Sequence, residues 1–259
     1  MRNIATFTSF ILILLACSKD NDLLIPAELD NPSTMIVFCQ ASPNDTLRIE
    51  GYIYDNDNLI NKTSIQNGKL QSKTTYDYSS NNQIISEIYE TNWKKTEMTY
   101  VYNESNQLIN ILYKFTDYDS DGQVVNESES EAPREYENNQ LVREWEYWGG
   151  FNTYEYSNGK VVSKIDYTKT GEKHHFTYYK YSGELLIEEK KETKVGGLIY
   201  LKTYEYDSEN RLSKIKDGDN IIEVNDYVGK KLIEKREYYF GIDPCYAACC
   251  GNYIYKYEY

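Results

Sequence analysis

One phrase recurs along this chain: tyrosine, any residue, tyrosine, a run of turn formers, then an apolar pair. It reads YDYSSNNQII from Tyr76, YVYNESNQLI from Tyr100 and YEYSNGKVV from Tyr154, and returns as YEYDSENRL from Tyr204. The spacing of two between tyrosines is the period of a strand, whereas a helix would place apolar residues three or four apart. Asn, Asp and Gly after the second tyrosine tolerate the left-handed backbone that tight hairpin turns require. The phrase therefore encodes a β-hairpin, and its repetition restricts the chain to an all-β fold.

Both tyrosines of the phrase point to one face and the middle residue to the other. That middle residue is Asp77, Glu155, Lys180 or Glu205 in four copies and Ile53 or Val101 in two. The apolar pairs are Leu59-Ile60, Ile84-Ile85, Leu108-Ile109, Val124-Val125, Leu141-Val142 and Val161-Val162. Neighbouring strand residues face opposite sides, so such pairs predict apolar groups on both faces near each turn. A sheet that curls over itself would suit them. The chain has 28 tyrosines, residues that favour strands and bury a ring while keeping the hydroxyl wet. One hairpin is marginal in water, so stacked neighbours must supply the stability. The expected architecture is a curved or spiralling antiparallel sheet over residues 35–259, open rather than closed into a barrel.

Tyr-Asp turns followed by Gly or Asn, a polar residue and an apolar pair resemble the YD repeats of Rhs-type proteins. YDSDGQVV at 118–125 is the nearest copy, and the likeness extends over most of residues 50–240. The resemblance implies one continuous spiralling sheet of hairpins. Large members of that family wrap the sheet around a toxin domain. This chain is too short for that, and its last residues, NYIYKYEY, read as a closing strand, so the shell role is not expected here.

The amino terminus, MRNIATFTSFILILLACSKDND, carries Arg2 and an apolar run from Ile4 to Leu15. The run is too short to span a bilayer and reads as a secretory signal peptide over residues 1–16. Leu14-Leu15-Ala16-Cys17 resembles a bacterial lipobox, which implies cleavage before Cys17 and lipid attachment there, with a diacylglyceryl thioether and an acyl chain such as palmitate. More than one buried chain makes such anchoring stable. Residues 17–34, with Pro26 and Pro32, read as a tether. Lys19, Asp20 and Asp22 resemble the acidic surface-export signal of Bacteroidota-type lipoproteins. An outer-membrane lipoprotein exposed at the cell surface is the expected setting. A net charge of −13 repels phosphate backbones and disfavours nucleic acid as a partner.

Candidate sites are few. EWEYWGGFNTYEY places Trp145, Tyr147, Trp148 and Phe151 about a Gly149-Gly150 turn, where flat rings can stack on sugars or on a partner's apolar groups. Glu144 and Glu146 stand near to accept hydroxyl hydrogen bonds. Cross-strand packing of a tight hairpin is the plainer reading and the favoured one. Cys39, Cys245, Cys249 and Cys250 are disulfide candidates outside the cytoplasm. The three late cysteines lie in a segment, 243–252, that breaks the repeat rhythm. An open sheet would keep Cys39 away from them and favour a local bridge. Asp117, Asp119 and Asp121 match the first half of a calcium loop, yet the closing glutamate position is Ser128, so a repeat turn without metal is the expectation. His174 and His175 should face opposite sides of a strand, which disfavours joint ligation. No phosphate loop, nucleophile elbow or HExxH pattern occurs. The expected function is non-catalytic binding of a glycan or protein without a cofactor. The alternatives are a structural envelope lipoprotein and, third, a carbohydrate-active enzyme.

Overall fold

A computed structural model describes residues 32–39, 42–238 and 252–259. The expected signal peptide, Cys17, most of the expected tether and Cys245, Cys249 and Cys250 lie outside the described residues. The described chain is all strand and turn. It begins with β1 (Thr34–Cys39), β2 (Ser42–Asp55), β3 (Asn58–Gln66), β4 (Lys69–Tyr78), β5 (Ile84–Thr91) and β6 (Lys94–Tyr102). Next come β7 (Leu108–Tyr118), β8 (Val124–Glu131), β9 (Arg134–Glu137), β10 (Gln140–Trp145), β11 (Phe151–Ser157) and β12 (Lys160–Tyr167). The series closes with β13 (Lys173–Ser182), β14 (Leu185–Thr193), β15 (Leu198–Tyr206), β16 (Leu212–Asp217), β17 (Asn220–Val228), β18 (Lys231–Tyr238) and β19 (Asn252–Glu258).

All nineteen strands form one antiparallel sheet that is not closed into a barrel. Its opening is not at the chain termini. β1 pairs with β2 on one side and with β19 on the other. From β1 the ladder passes through β2 and on to β8 in one direction, and through β19 back to β9 in the other. The opening lies between β8 and β9, consecutive stretches of chain broken at Ala132-Pro133. Ala132 still exchanges both backbone bonds with Ile111 of β7, while the Pro133 carbonyl accepts from Trp145 at the end of β10. This corrects the expectation that an open sheet keeps the start and end of the chain apart: Cys39 sits opposite Tyr253 in the β1–β19 ladder, while the late cysteines lie outside the described residues.

The apolar pairs have a different meaning from the alternation expected of them. At each one the register shifts: Ile53 opposes Asn61 while Tyr54 opposes Leu59, and Val101 opposes Asn110 while Tyr102 opposes Leu108. The same shift precedes Tyr78, Tyr118, Tyr156, Tyr181, Tyr206 and Tyr227. The residue after the first apolar one, apolar in these copies except at Ser213, is thus the extra residue of a β-bulge, which adds local twist and bends the strand. Repetition of this device curls the sheet. Two constructions recur among the turns before the bulges. Asn56-Asp57, Asn67-Gly68 and Asn158-Gly159 have positive φ at both central residues, as the type I′ hairpin demands. In the longer turns a side-chain oxygen of Ser79, Asn103, Asp119 or Asp207 accepts the amides two and four residues on.

The two tyrosines of the phrase have separate tasks. The second reaches back to the hairpin before it and donates to a backbone carbonyl there: Tyr78 to Leu59 at 2.8 Å, Tyr102 to Ile84 at 2.9 Å, Tyr156 to Leu141 at 2.9 Å and Tyr206 to Leu186 at 2.8 Å. Tyr136, Tyr227 and Tyr259 do the same to Leu108, Leu212 and Leu232. In four copies the first tyrosine donates to a carboxylate on its own face: Tyr52 to Glu50 and Tyr100 to Glu87, both at 2.8 Å. Tyr154 and Tyr204 bond Glu144 and Glu189 likewise.

The tyrosine face is polar in depth. Glu50 is 4% exposed and also meets Lys62 at 2.8 Å and Arg48 at 3.1 Å. Burial alone would raise its pKa, but Lys62, Tyr52 and Arg48 outweigh burial and hold it low. Among the described residues only Met35, Val37, Ile111, Ala132 and Tyr259 are buried apolar residues. Backbone ladders and tyrosine–carboxylate bonds, rather than a large apolar core, hold the sheet. The opposite face carries ion pairs such as Lys114–Glu127 at 3.2 Å, Lys180–Glu188 at 2.6 Å and Lys214–Glu205 at 3.2 Å. A surface so charged faces water, since lipid-facing strands disfavour such groups.

Strand alternation sorts the turns into two ends. Turns 56–57, 79–82, 103–106, 138–139, 158–159 and 207–210 share one end with Ser33 and Tyr259. The chain enters there, where the Ser33 amide donates to the Glu258 carbonyl at 2.7 Å. Turns 67–68, 92–93, 119–122, 146–149, 168–171 and 194–197 lie at the far end.

Candidate functional site

The aromatic hairpin tip sits at the far end, beside the opening of the sheet. A tight turn forms it, with Gly149 donating to the Glu146 carbonyl and Glu146 to that of Gly150, both at 2.8 Å. Gly149 has φ of 95°. At Gly150 a Cβ would fall 1.9 Å from the Trp148 ring, so the indole lies across the glycine. At the second glycine a side chain would press on this ring, and φ sets no demand there.

The predicted quartet of rings divides. Trp145 lies 6.0 Å from Phe151, and Phe151 stacks on Tyr167 at 4.4 Å. The Arg143 guanidinium sits 5.4 Å from both the Trp145 and Phe151 rings. These two rings pack across the strands of the hairpin. Tyr147 and Trp148 instead remain 49% and 52% exposed. Tyr147 crosses the opening to β7, with its ring 5.4 Å from Tyr113 and 5.5 Å from Phe115. Its carbonyl accepts from Ser130 of β8.

Between this tip and strands β6 to β8 lies a cleft of about 400 Å³, lined by Lys94, Phe115, Asp117, Ser128, Glu129, Ser130, Tyr147 and Trp148. The Lys94 ammonium stands 5.1 Å from the Phe115 ring. Trp93, 59% exposed, precedes Lys94 in the adjoining turn, where its carbonyl accepts from Tyr118 at 2.9 Å. Flat rings, one ammonium, two acidic residues and two serines therefore meet at one opening. Such a mixture can stack on a planar or apolar ligand surface while pairing with its polar groups. Trp93, Lys94 and Phe115 were not singled out in the sequence, because the tertiary fold alone brings their strands against the tip.

Other predicted residues have different duties. Glu144 accepts from Tyr154, from Asn152 and from Arg134 at 3.4 Å, and Glu146 accepts from Asn152 at 2.9 Å. Both carboxylates are engaged within the sheet and do not line the cleft. Asp119 accepts the amides of Asp121 and Gln123, while Asp117 accepts from Asn126 at 3.1 Å. Asp119 occupies the place that Ser79, Asn103 and Asp207 hold in their turns, so the aspartates of 117–121 form a repeat turn. No group of acidic, histidine or cysteine side chains suited to a metal occurs among the described residues. The histidine expectation is corrected: their rings lie 3.7 Å apart. A register shift places Tyr167 opposite Lys173 and Asp166 opposite His175, so His174 is a bulge residue and strict alternation fails there. Burial, then His174 and Lys191, lowers the pKa of His175. A second cavity, of about 480 Å³, lies against Lys202, Asp217, Glu223 and Glu237. Asp217 accepts the Leu201 amide and Glu223 accepts from Asn225, while Glu237 meets Lys235 and Tyr255.

No family model matches the sequence, and no curated protein matches it. Among solved structures the chain is similar to part of a TcdB2–TccC3–Cdc42 complex, at 11% identity and a TM-score of 0.29. That match covers 81% of this chain but only 13% of the other. It is also similar to a porin-like protein from Bacteroides uniformis ATCC 8492, at 10% identity and a TM-score of 0.43. There the match covers 87% of this chain and 96% of the other.

Proposed function

We propose that this chain is a YD-repeat-like, lipid-anchored envelope protein whose role is non-catalytic binding of a glycan or protein at the far-end cleft. The observation that carries this reading is the half-exposed pair Tyr147 and Trp148, held open over a cleft whose other wall is Phe115, Lys94 and Asp117. Exposed aromatic rings fixed by a rigid turn lose little entropy on binding and supply most of the contact energy at recognition sites. The lipobox at Cys17 supports anchoring to the outer membrane, and the tether enters at the end opposite the cleft. A surface-displayed protein built this way would hold the cleft away from the membrane.

Binding assays against a glycan array and against solubilised envelope proteins test the reading. Trp148→Ala should weaken the ligand found by about 1–3 kcal/mol without lowering thermal stability. Empty results in both assays for the wild-type protein would favour a structural envelope role, and turnover lost on single carboxylate changes would favour an enzyme.

A further inference from the structure

We propose that the ligand of this cleft is an extended, basic peptide segment that adds itself as a strand to the free edge of β8; the proposal rests on the cleft being the binding site. β8 is paired with β7 alone. Ile111 and Ala132 exchange both of their backbone bonds, which sets the phase of the ladder. In an antiparallel pair, bonded and non-bonded positions alternate. Ser130, Ser128 and Asn126, opposite Tyr113, Phe115 and Asp117, therefore direct their N–H and C=O groups to β7. Glu127 and Glu129 direct theirs away from it. No described backbone bond meets those groups. An unpaired row of this kind is a template for another strand.

Charge selects the occupant. Residues 117–131 contain Asp117, Asp119, Asp121, Glu127, Glu129 and Glu131 and no lysine or arginine. Lys114 answers Glu127 at 3.2 Å, and Asn110 donates to Glu131 at 3.1 Å. Glu129 is left facing solvent on an exposed strand. A second copy pairing edge to edge would set these glutamates against their own counterparts, which is unfavourable. A segment with lysine or arginine at alternate positions would match them. Residues on its other face would meet Ser128, Tyr147 and Trp148 along the cleft.

The test is fluorescence anisotropy with a labelled nine-residue peptide of alternating lysine and valine, titrated with the full-length protein. Saturable binding is expected, weakening as salt rises. Glu129→Pro should reduce affinity at least tenfold. Position 129 is a non-bonded site toward β7, so proline removes an outward donor and leaves that ladder intact. Because the variant could misfold, a peptide N-methylated at alternate amides repeats the test on the wild-type protein, and it too should bind at least tenfold more weakly. Equal binding of the methylated peptide, or no binding of the parent peptide, would overturn the proposal. A glycan ligand lost in Trp148→Ala but retained in Glu129→Pro would overturn it while leaving the cleft reading intact. If no ligand depends on Trp148, the cleft reading itself fails.

Discussion

Replacing Tyr100 and Tyr102 of β6 separately by phenylalanine should divide the two tasks of the repeat. Tyr102 donates to the Ile84 carbonyl at 2.9 Å, a neutral bond between adjacent hairpins. Its loss should cost about 1 kcal/mol. Tyr100 donates to the Glu87 carboxylate at 2.8 Å, and burial followed by that bond pushes its pKa well above the ordinary tyrosine value. Bonds to charged groups are worth about 1.5–3 kcal/mol. Glu87 is only half-buried, so solvent screening places the expected cost near the lower end, at about 1.5–2 kcal/mol. Urea unfolding followed by circular dichroism measures both variants. The m-value should not change, because neither substitution alters the area exposed on unfolding. A double-mutant cycle with Glu87→Gln should return a coupling of at least 1 kcal/mol for Tyr100 and, for Tyr102, no more than the roughly 0.5 kcal/mol seen between independent sites. If Tyr100→Phe proves no more costly than Tyr102→Phe, or its coupling to Glu87 vanishes, the first tyrosine is merely a half-buried ring and the division of tasks is wrong.

Alkaline pH should unfold the protein. Burial pushes Tyr179 and Tyr257 up to about 12 and moves Tyr52, Tyr154 and Tyr204 further still. A raised folded-state pKa means stability that is complete below the unfolded value of about 10 and lost as pH climbs through 12, at up to about 1.4 kcal/mol per pH unit for each such tyrosine. Absorbance at 295 nm should show these phenols ionising late and together with loss of strand signal; a single transition near pH 10 with the fold intact would contradict this. Gly150→Ala should displace the Trp148 indole, because a Cβ there overlaps the ring, and so should weaken cleft binding as Trp148→Ala does. Unchanged binding would mean that the ring position does not matter. Cys17→Ala should abolish labelling by radioactive palmitate and release the protein from membranes, whereas membrane association persisting in high salt would refute lipid anchoring at that residue.

The hairpin was legible because its causes are local. Tyrosine spacing sets the period of the strand, and Asn56, Asn67, Gly68 and Asn158 adopt the left-handed conformation that turn chemistry assigns them. Fold class and repeat phase follow from such short-range preferences. The apolar pairs were visible but misassigned: Ile60 and Ile109 look like breaks in alternation, and only the partner strand shows that two residues there face one. The same applies to His174 and His175, adjacent in sequence and brought ring to ring by a bulge. Long-range arrangement was beyond any local signal. The pairing of β1 with β19 joins the ends of the described chain, and the break at Ala132-Pro133 moves the opening of the sheet to the middle of the sequence. That displacement decides the site. Trp145, Tyr147, Trp148 and Phe151 read as one aromatic tip, yet the opening lets Tyr147 reach Tyr113 and Phe115 while Trp145 and Phe151 turn to Arg143 and Tyr167. Sequence alone determined which residues form strands and turns, since those depend on each residue's own backbone preferences. Which rings are packed and which stay open to a ligand depends on the neighbour that arrives from a distant strand, and only the tertiary structure supplies it.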